Sequence, residues 1–503
     1  MDTLNAMQQG FTDALQTQSL MMMVLGTAIG TVVGIIPGLS SGMAVALLLP
    51  LTFTMSPLNG IVFLISIYVA VGYGGALTAI LLKTPGSPEN AVTTLDGFAL
   101  TKQGRAAEAL GTSIAASVYG GILSYVVMLA SIGVVASIAL KFGPTEVFLI
   151  AIAGVAVLGA VGSGSVAKTT ASGAFGMLLG TIGIVPTGEW RATLDNPFLA
   201  EGLPIVPVLI GIFVFSELML MAYRDHVIDS SITVKRSIPD ILRAFRLPRW
   251  VWPSFFRSSA VGMVVGLIPA AGGTIASFSA YSLSRRLSKR QAEYGNGSVE
   301  GVVAAESANN ACSGGAIMTT LVLGVPGSVT TGVLLGALTM HGLQAGPSFV
   351  AQQQPLVYGI IAAAIISQAI MVLAAVLGAY SLSGSLSVRT RFLVPILMLF
   401  AVVGAYASRN ATFDIYLMLA FGAAGFALKR TGYSPAAVVM GIILAPIADN
   451  ELIRMLQIYQ DEWYLAFVTR PLAALILAVI LATIGWSAYS KFVRARRARV
   501  YVD

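Results

Sequence analysis

Charge is what this sequence has least of. Only 10% of its 503 residues are Asp, Glu, Lys or Arg, against roughly 25% in an average soluble domain. A soluble fold of this length needs extended polar surfaces, and none are present. A single cysteine, Cys312, excludes an intramolecular disulfide framework and a cysteine-based zinc site. Two histidines, His226 and His341, leave little for metal or acid–base chemistry. No His, Asp or Cys constellation of the kind an enzyme needs is visible, so no catalytic residue and no cofactor are expected. The first 18 residues carry no Lys or Arg, so no cleavable signal peptide is expected.

What is present is apolar: 56% of the chain is hydrophobic, with 53 glycines spread through the apolar runs. Gly and Pro are commoner in membrane helices than in soluble ones. The formal charge of +7 sits in short loops between apolar stretches, which fits a lipid bilayer and the positive-inside rule rather than nucleic acid. Gly162–Thr169 reads GSGSVAKT, one substitution from a phosphate-binding loop. Ala167 replaces its second glycine, and the segment joins two apolar helices instead of following a strand, so nucleotide binding is not expected.

Self-comparison reveals two related halves. GIIPG at Gly34–Gly38 recurs as GLIPA at Gly266–Ala270, and GGA at Gly74–Ala76 recurs at Gly314–Ala316. PGS at Pro85–Ser87 recurs at Pro326–Ser328, and VYG at Val118–Gly120 recurs at Val357–Gly359. AVLGAVGS at Ala156–Ser163 pairs with AVVGAYAS at Ala401–Ser408, and ASGAFG at Ala171–Gly176 with AFGAAG at Ala420–Gly425. The six matches keep their order, with offsets from 232 to 249. The expected organisation is a periplasmic or interfacial segment 1–18, a membrane repeat 19–223 and a basic cytoplasmic linker 224–257. A second repeat 258–455, an extra span 467–488 and a basic cytoplasmic tail 489–503 follow.

Charge then sets topology. The linker and the loop Arg285, Arg286, Lys289, Arg290 are both basic, which places both in the cytoplasm. The apolar stretch between them must therefore enter and return as a re-entrant hairpin with Ile268–Gly273 at its tip. Its counterpart at 19–51 is flanked by segments free of Lys and Arg, which suit the periplasm. Threading the rest leaves 24 of the 29 basic residues inside. The fold class expected is all-α and polytopic: two inverted-topology repeats, each with a re-entrant hairpin and broken helices, plus a C-terminal span. The N-terminus lies in the periplasm and the C-terminus in the cytoplasm. Inverted repeats are the plan common to secondary transporters.

Such transporters bind where helices are interrupted, because a helix start offers free N–H groups and a positive dipole end to an anion. Four interruptions stand out: Pro37–Gly42, Pro269–Thr274, Lys83–Ser87 and Gly324–Ser328. Candidate substrate-binding residues are Ser40, Ser41, Thr84, Gly86, Ser87, Gly272, Gly273, Thr274, Asn309, Asn310, Gly327 and Ser328. Proline ends the hydrogen-bond ladder, glycine lets backbone approach a ligand, and the hydroxyls and amides donate. The alternative is that proline kinks and small residues merely pack helices. The run Glu306–Asn310 is read as a membrane-embedded helix start or a cytoplasmic cap. Glu89, Asp96 and Glu306 are placed near loops, Glu89 and Asp96 as solvated charges, so the coupling cation is expected to be sodium rather than a proton. Lys83 is the one cation beside a break.

The long motifs GTAIGTVVGIIPGLSSG (Gly26–Gly42), YGGALTAILLKTPGSPENAVTTLDG (Tyr73–Gly97), GLIPAAGGTIASFSAY (Gly266–Tyr281) and ESANNACSGGAIMTTLVLGVPGS (Glu306–Ser328) resemble the large membrane subunit of the tripartite tricarboxylate transporters, the TctA family. The resemblance covers nearly the whole chain. It implies a bacterial inner-membrane, cation-coupled secondary transporter for di- or tricarboxylates with an elevator-like movement. It also implies two partners: a small four-helix membrane subunit and a periplasmic solute-binding protein. An anion channel, or a carrier that works without a binding protein, is the rival reading.

Overall fold

The structure, a computed structural model, describes residues 3–161, 165–185, 187–223, 226–229, 237–382, 387–483 and 485. The chain is an all-α, polytopic membrane protein: six of its described helices are long and apolar enough to cross a bilayer. It opens with α1 (Thr3–Ala14), α2 (Thr17–Gly34), α3 (Ser41–Leu48), α4 (Pro57–Leu82), α5 (Thr93–Lys102) and α6 (Ala106–Ala139). Next come α7 (Pro144–Val161), α8 (Val166–Gly180) and α9 (Ile205–Leu209), the last running through a π-helical stretch into α10 (Ser216–Met221). After α11 (Ile238–Ala244) come α12 (Trp252–Leu267), α13 (Gly272–Leu287), α14 (Val299–Leu323), α15 (Val329–Met340) and α16 (Pro347–Gln352). The rest is α17 (Gln354–Leu382), α18 (Thr390–Ala407), α19 (Thr412–Thr431), α20 (Pro435–Tyr459), α21 (Ala466–Thr469) and an apolar helix at Pro471–Thr483. Two short antiparallel pairs, Gly183–Ile184 with Trp190–Arg191 and His226–Asp229 with Ser387–Arg389, are the strands present among the described residues.

Both expected hairpins turn back on themselves. Ser254 at the start of α12 bonds Ser284 near the end of α13. In the first, Ser19 at the start of α2 donates to Asn59 at the start of α4 at 2.8 Å, so the chain has returned to its point of entry. The second hairpin starts earlier than expected. α12 begins at Trp252, so Arg257 belongs to the hairpin rather than the linker, 3.9 Å from Glu300. The basic positions Arg224, Lys235, Arg236 and the tail beyond 485 lie outside the described residues, as does part of the expected span 467–488.

Lipid tails supply no hydrophobic drive between helices, so close backbone approach through small residues does that work. α2 carries Gly26, Gly30 and Gly34 at four-residue spacing, all facing α4. A β-carbon at Gly26 would stand 2.6 Å from the Phe63 carbonyl oxygen, and one at Gly30 would stand 2.7 Å from that of Ile67. α12 repeats the device on α14: Gly262 meets the carbonyl of Ala308, and Gly266 that of Cys312. These contacts put the two halves in one register, offset by 232 in the hairpins and 241 in the following helices. Gly74 therefore corresponds to Gly315, one residue beyond the match that the GGA motif alone gives.

The described residues pack as two compact units, Met1–Ser137 with Ile205–Ala427 and Ile138–Pro204 with Leu428–Asp503. Each draws on both sequence halves. In the second unit α7 and α8 pack on α20, where a β-carbon on Gly180 would stand 2.6 Å from the Ile442 carbonyl oxygen. Arg191 pairs with Asp449 at 2.9 Å and Arg470 with Glu146 at 2.6 Å. Residues 162–164 of the GSGSVAKT segment lie outside the described residues, and Lys168 donates to the Thr431 carbonyl at 2.6 Å. The first unit holds both hairpins, α4 and α14.

Leucine at Gly30 or Gly262 is expected to destabilise the fold by about 1–3 kcal/mol or more through overpacking. A lowered melting temperature and loss of the monodisperse peak in detergent would register it, while leucine at Gly133, whose β-carbon position is open, should leave both unchanged.

Candidate functional site

Each hairpin tip is tied to its own helix break by backbone. The Gly38 amide donates to the Gly86 carbonyl at 3.1 Å, and Gly86 N–H donates to Gly75 at 3.2 Å. In the second half the Ala270 amide reaches Pro326 at 3.1 Å, and Gly272 reaches Gly327 at 3.3 Å. The turns need left-handed backbone at matching places: Gly38 has φ 96° and Ala270 φ 63°. α4 and α14 end in the same way, at Lys83 (φ 58°) and Gly324 (φ 69°). Lys83 thus holds a conformation that its counterpart fills with glycine.

The halves then meet. The Ser41 hydroxyl donates to Glu89, and Glu89 stands beside the second tip, where a β-carbon on Gly273 would be 3.4 Å from its own. A β-carbon on Gly42 would be 3.6 Å from the Thr330 amide nitrogen of α15, and one on Gly272 would be 3.7 Å from Ser328. Asn309, eight percent exposed, lies between Gly72 of α4 and Gly273. Both tips, both PGS breaks and α14 therefore share one junction inside the first unit.

The expected site residues divide there by what they already bond. Ser40 caps α3 by accepting from Met43 at 3.4 Å. Ser328 and Thr331 form a reciprocal capping box at the start of α15. Ser87 donates to Asn90 at 2.7 Å, and Asn310 donates to the Glu306 carbonyl of its own helix at 3.1 Å. Gly86 and Gly327 press on the carbonyls of Gly34 and Gly266, so their missing side chains serve hairpin packing. Thr84 is exposed and bonds Leu82 at 3.3 Å, away from the junction. Lys83 is likewise exposed, its ammonium 6.0 Å from the Phe98 ring. Donors remain at the second tip. α13 starts without a side-chain cap, which leaves its first-turn N–H groups at Gly273 and Thr274 to face the junction. Beside them stand the Thr274 hydroxyl and Asn309, whose Oδ1 lies toward Gly273 and whose Nδ2 lies toward Gly72.

Three carboxylates lie elsewhere than the sequence placed them, so the preference for sodium over a proton loses the loop placement it was argued from. Glu306 is no helix start: α14 begins at Val299 behind the Ser298 cap, and Glu306 lies within it at 0% exposure. The polar run misled because the cap sits after two left-handed glycines, Gly295 and Gly297, in an otherwise polar loop. Asp96 is no solvated charge either, being 1% exposed. One of its oxygens accepts from the amides of Gly295 (2.7 Å), Gly297 (3.0 Å) and Ser298 (2.8 Å), the other from the Tyr281 hydroxyl (2.8 Å). It staples the loop before α14 to α5 and α13. Nearby, burial holds the Tyr294 phenol well above its ordinary range, which keeps it protonated beside Ser284. Glu89 is half-buried and bonded to Ser41.

With that geometry in place, comparison with known proteins identifies the lineage. A sequence profile of the Tripartite tricarboxylate transporter TctA family matches residues 20–440. The chain belongs to the TctA family. It is 34% identical, over all of its length and 99% of the relative, to an uncharacterised 52.8 kDa protein in the TAR-I ttuC' 3' region of Agrobacterium vitis. A second uncharacterised protein, in the TAR-II ttuC' 3' region of the same organism, is 33% identical over 48% of this chain and 99% of its own. No solved structure matches. As a TctA protein the chain is the large membrane subunit of a tricarboxylate transporter.

Asp96→Ala should destabilise the protein by about 1–3 kcal/mol for each buried donor left without an acceptor, read as a fall in melting temperature. Thr84→Val should leave both stability and transport at parent levels.

Proposed function

We propose that the protein is the transmembrane subunit of a tripartite importer that carries a di- or tricarboxylate across the bacterial inner membrane, driven by a sodium gradient. A periplasmic binding protein delivers the substrate, and a small four-helix subunit completes the membrane complex. The halves run in opposite senses through the bilayer, and the junction moves by an elevator-like displacement.

One observation carries the reading: an uncapped helix start and a free hydroxyl meet beside Asn309 at a helix break between two hairpins, with no Lys or Arg among the described residues contacting them. N–H groups and a helix dipole attract carboxylate without fixing permanent positive charge in the pathway. The empty carrier can then return across the bilayer. Glu89 at the same junction opposes an anion unless a cation accompanies it, which favours symport over a bare anion channel.

Whole cells producing all three subunits should accumulate a labelled di- or tricarboxylate in sodium buffer and lose most of that uptake in choline buffer. Accumulation that ignores sodium and collapses with the pH gradient would overturn the sodium assignment. Asn309→Ala should weaken substrate affinity about 10- to 150-fold, the worth of one hydrogen bond to a charged group at roughly 1.5–3 kcal/mol, with expression intact. Opposite topology is tested by single cysteines in a Cys312→Ser background. Thr54→Cys should react with an impermeant thiol reagent from the periplasm and Lys289→Cys only from the cytoplasm. Both residues are exposed, whereas Ser288 beside the latter is buried against Glu300.

A further inference from the structure

We infer that Glu306 holds the coupling sodium, and that Asn90 connects this ion site to the Ser87 break. The inference rests on the transporter reading above and adds the residues that would carry its ion.

Glu306 is wholly buried inside α14. Three other segments converge on its carboxylate: Thr93 of α5 donates to it, Ser117 of α6 donates at 3.0 Å, and Asn90 donates at 3.5 Å. No ion pair among the described residues includes it. A buried carboxylate without a positive partner costs several kcal/mol, so a cation is the partner this environment lacks.

Charge and ligand type narrow the choice. One carboxylate cancels one positive charge, and a divalent ion would leave a surplus in a low-dielectric interior. The Thr93 and Ser117 hydroxyls beside Glu306 offer oxygen, the ligand that hard cations take. A proton needs a single acceptor, whereas oxygens from three segments, those of Glu306, Thr93 and Ser117, meet here, and Asn90 borders them with its amide. A fifth group points the same way. The Tyr73 hydroxyl is wholly buried and has no hydrogen-bond partner among the described residues, and Tyr73 follows Gly72, which Asn90 ties to Glu306. An unpaired buried hydroxyl is itself costly, and an ion shared with Glu306 removes that cost. The site is single: at the 241-residue offset the first half has Ile65.

The same geometry supplies the coupling. Asn90 accepts from Ser87 at 2.7 Å through its carbonyl, while its amide donates to Gly72 at 2.9 Å and to Glu306. A cation on Glu306 repels that amide and attracts the carbonyl. Asn90 then turns, and the Ser87 hydroxyl, 2% exposed in this structure, is released toward the junction. Sodium binding therefore prepares the anion site.

Sodium alone is the probe. The purified full-length chain in detergent is melted in sodium chloride and in choline chloride at equal ionic strength, because a ligand that binds only the folded state raises the melting temperature. The parent should melt higher in sodium. Glu306→Gln keeps size, leaves an oxygen to accept from Thr93 and Asn90, and turns the Ser117 contact into donation to that hydroxyl. It should melt like the parent in choline and lose the sodium increment. Ser117→Ala should raise the half-maximal sodium concentration about tenfold, one ligand's worth. A sodium increment that survives in Glu306→Gln, or a parent indifferent to sodium, overturns the inference. If the Gln variant does not fold, Thr93→Val and Ser117→Ala decide, and unchanged sodium dependence in both overturns it equally. Carboxylate is absent from the assay, so its outcome is separate from whether the parent transports a carboxylate.

Discussion

Backbone contact between α2 and α4, and between α12 and α14, is the constraint on which the rest of the first unit depends. Inside a bilayer the usual hydrophobic drive between helices is absent. Glycines at Gly30, Gly34, Gly262 and Gly266 bring carbonyl oxygens within reach of a neighbouring α-carbon. Dispersion over such a short separation is what remains to hold the helices. Because these contacts run to the last turn of α2 and of α12, they also fix where each hairpin tip ends. Gly86 and Gly327 then seat the helix breaks on the carbonyls of Gly34 and Gly266. A side chain at any of these positions would shift a tip, and with it the donors that the tip presents.

From that scaffold follows an asymmetric centre built by a symmetric device. Both halves repeat the left-handed tip, the left-handed helix end and the seated PGS. The chemistry that they carry differs. The first tip places Ser41 on Glu89, while the second leaves its helix start open beside Asn309. Glu306 corresponds to Ile65 in the repeat register. Duplication set the frame, and divergence at a few positions gave one half the acidic group and the other the acidic partner of Ser41. In the account proposed here, this division lets a cation and an anion occupy neighbouring sites without cancelling each other.

Much of the frame could be read from residue patterns. Proline and glycine at the breaks are punctuation with a local cause, so the interruptions expected at 83–87 and 324–328 follow α4 and α14, and those expected at 37–42 and 269–274 overlap the turns before α3 and α13. Hairpin return was inferred from charge in flanking loops, and the Ser19–Asn59 and Ser254–Ser284 bonds supply the geometry. What escaped was long-range. Asp96 is held by amides some two hundred positions away, and nothing local distinguishes it from a solvated loop acid. Glu306 was mistaken for part of a helix start because polarity alone suggested one, whereas the true start is set by Ser298 after Gly295 and Gly297. Thr84 and Gly86 looked alike as site candidates. Only the packed backbone shows one turned outward and the other pressed on Gly34.

The central claim is that the junction of the two hairpin tips is where the substrate sits. The most direct test is a cryo-electron microscopy map of the complex in sodium with the carboxylate it transports. Density for that carboxylate should lie at the start of α13, within hydrogen-bonding distance of the Gly273 and Thr274 amides and of Asn309. Density resolved elsewhere in the protein, with the start of α13 empty, would contradict the account.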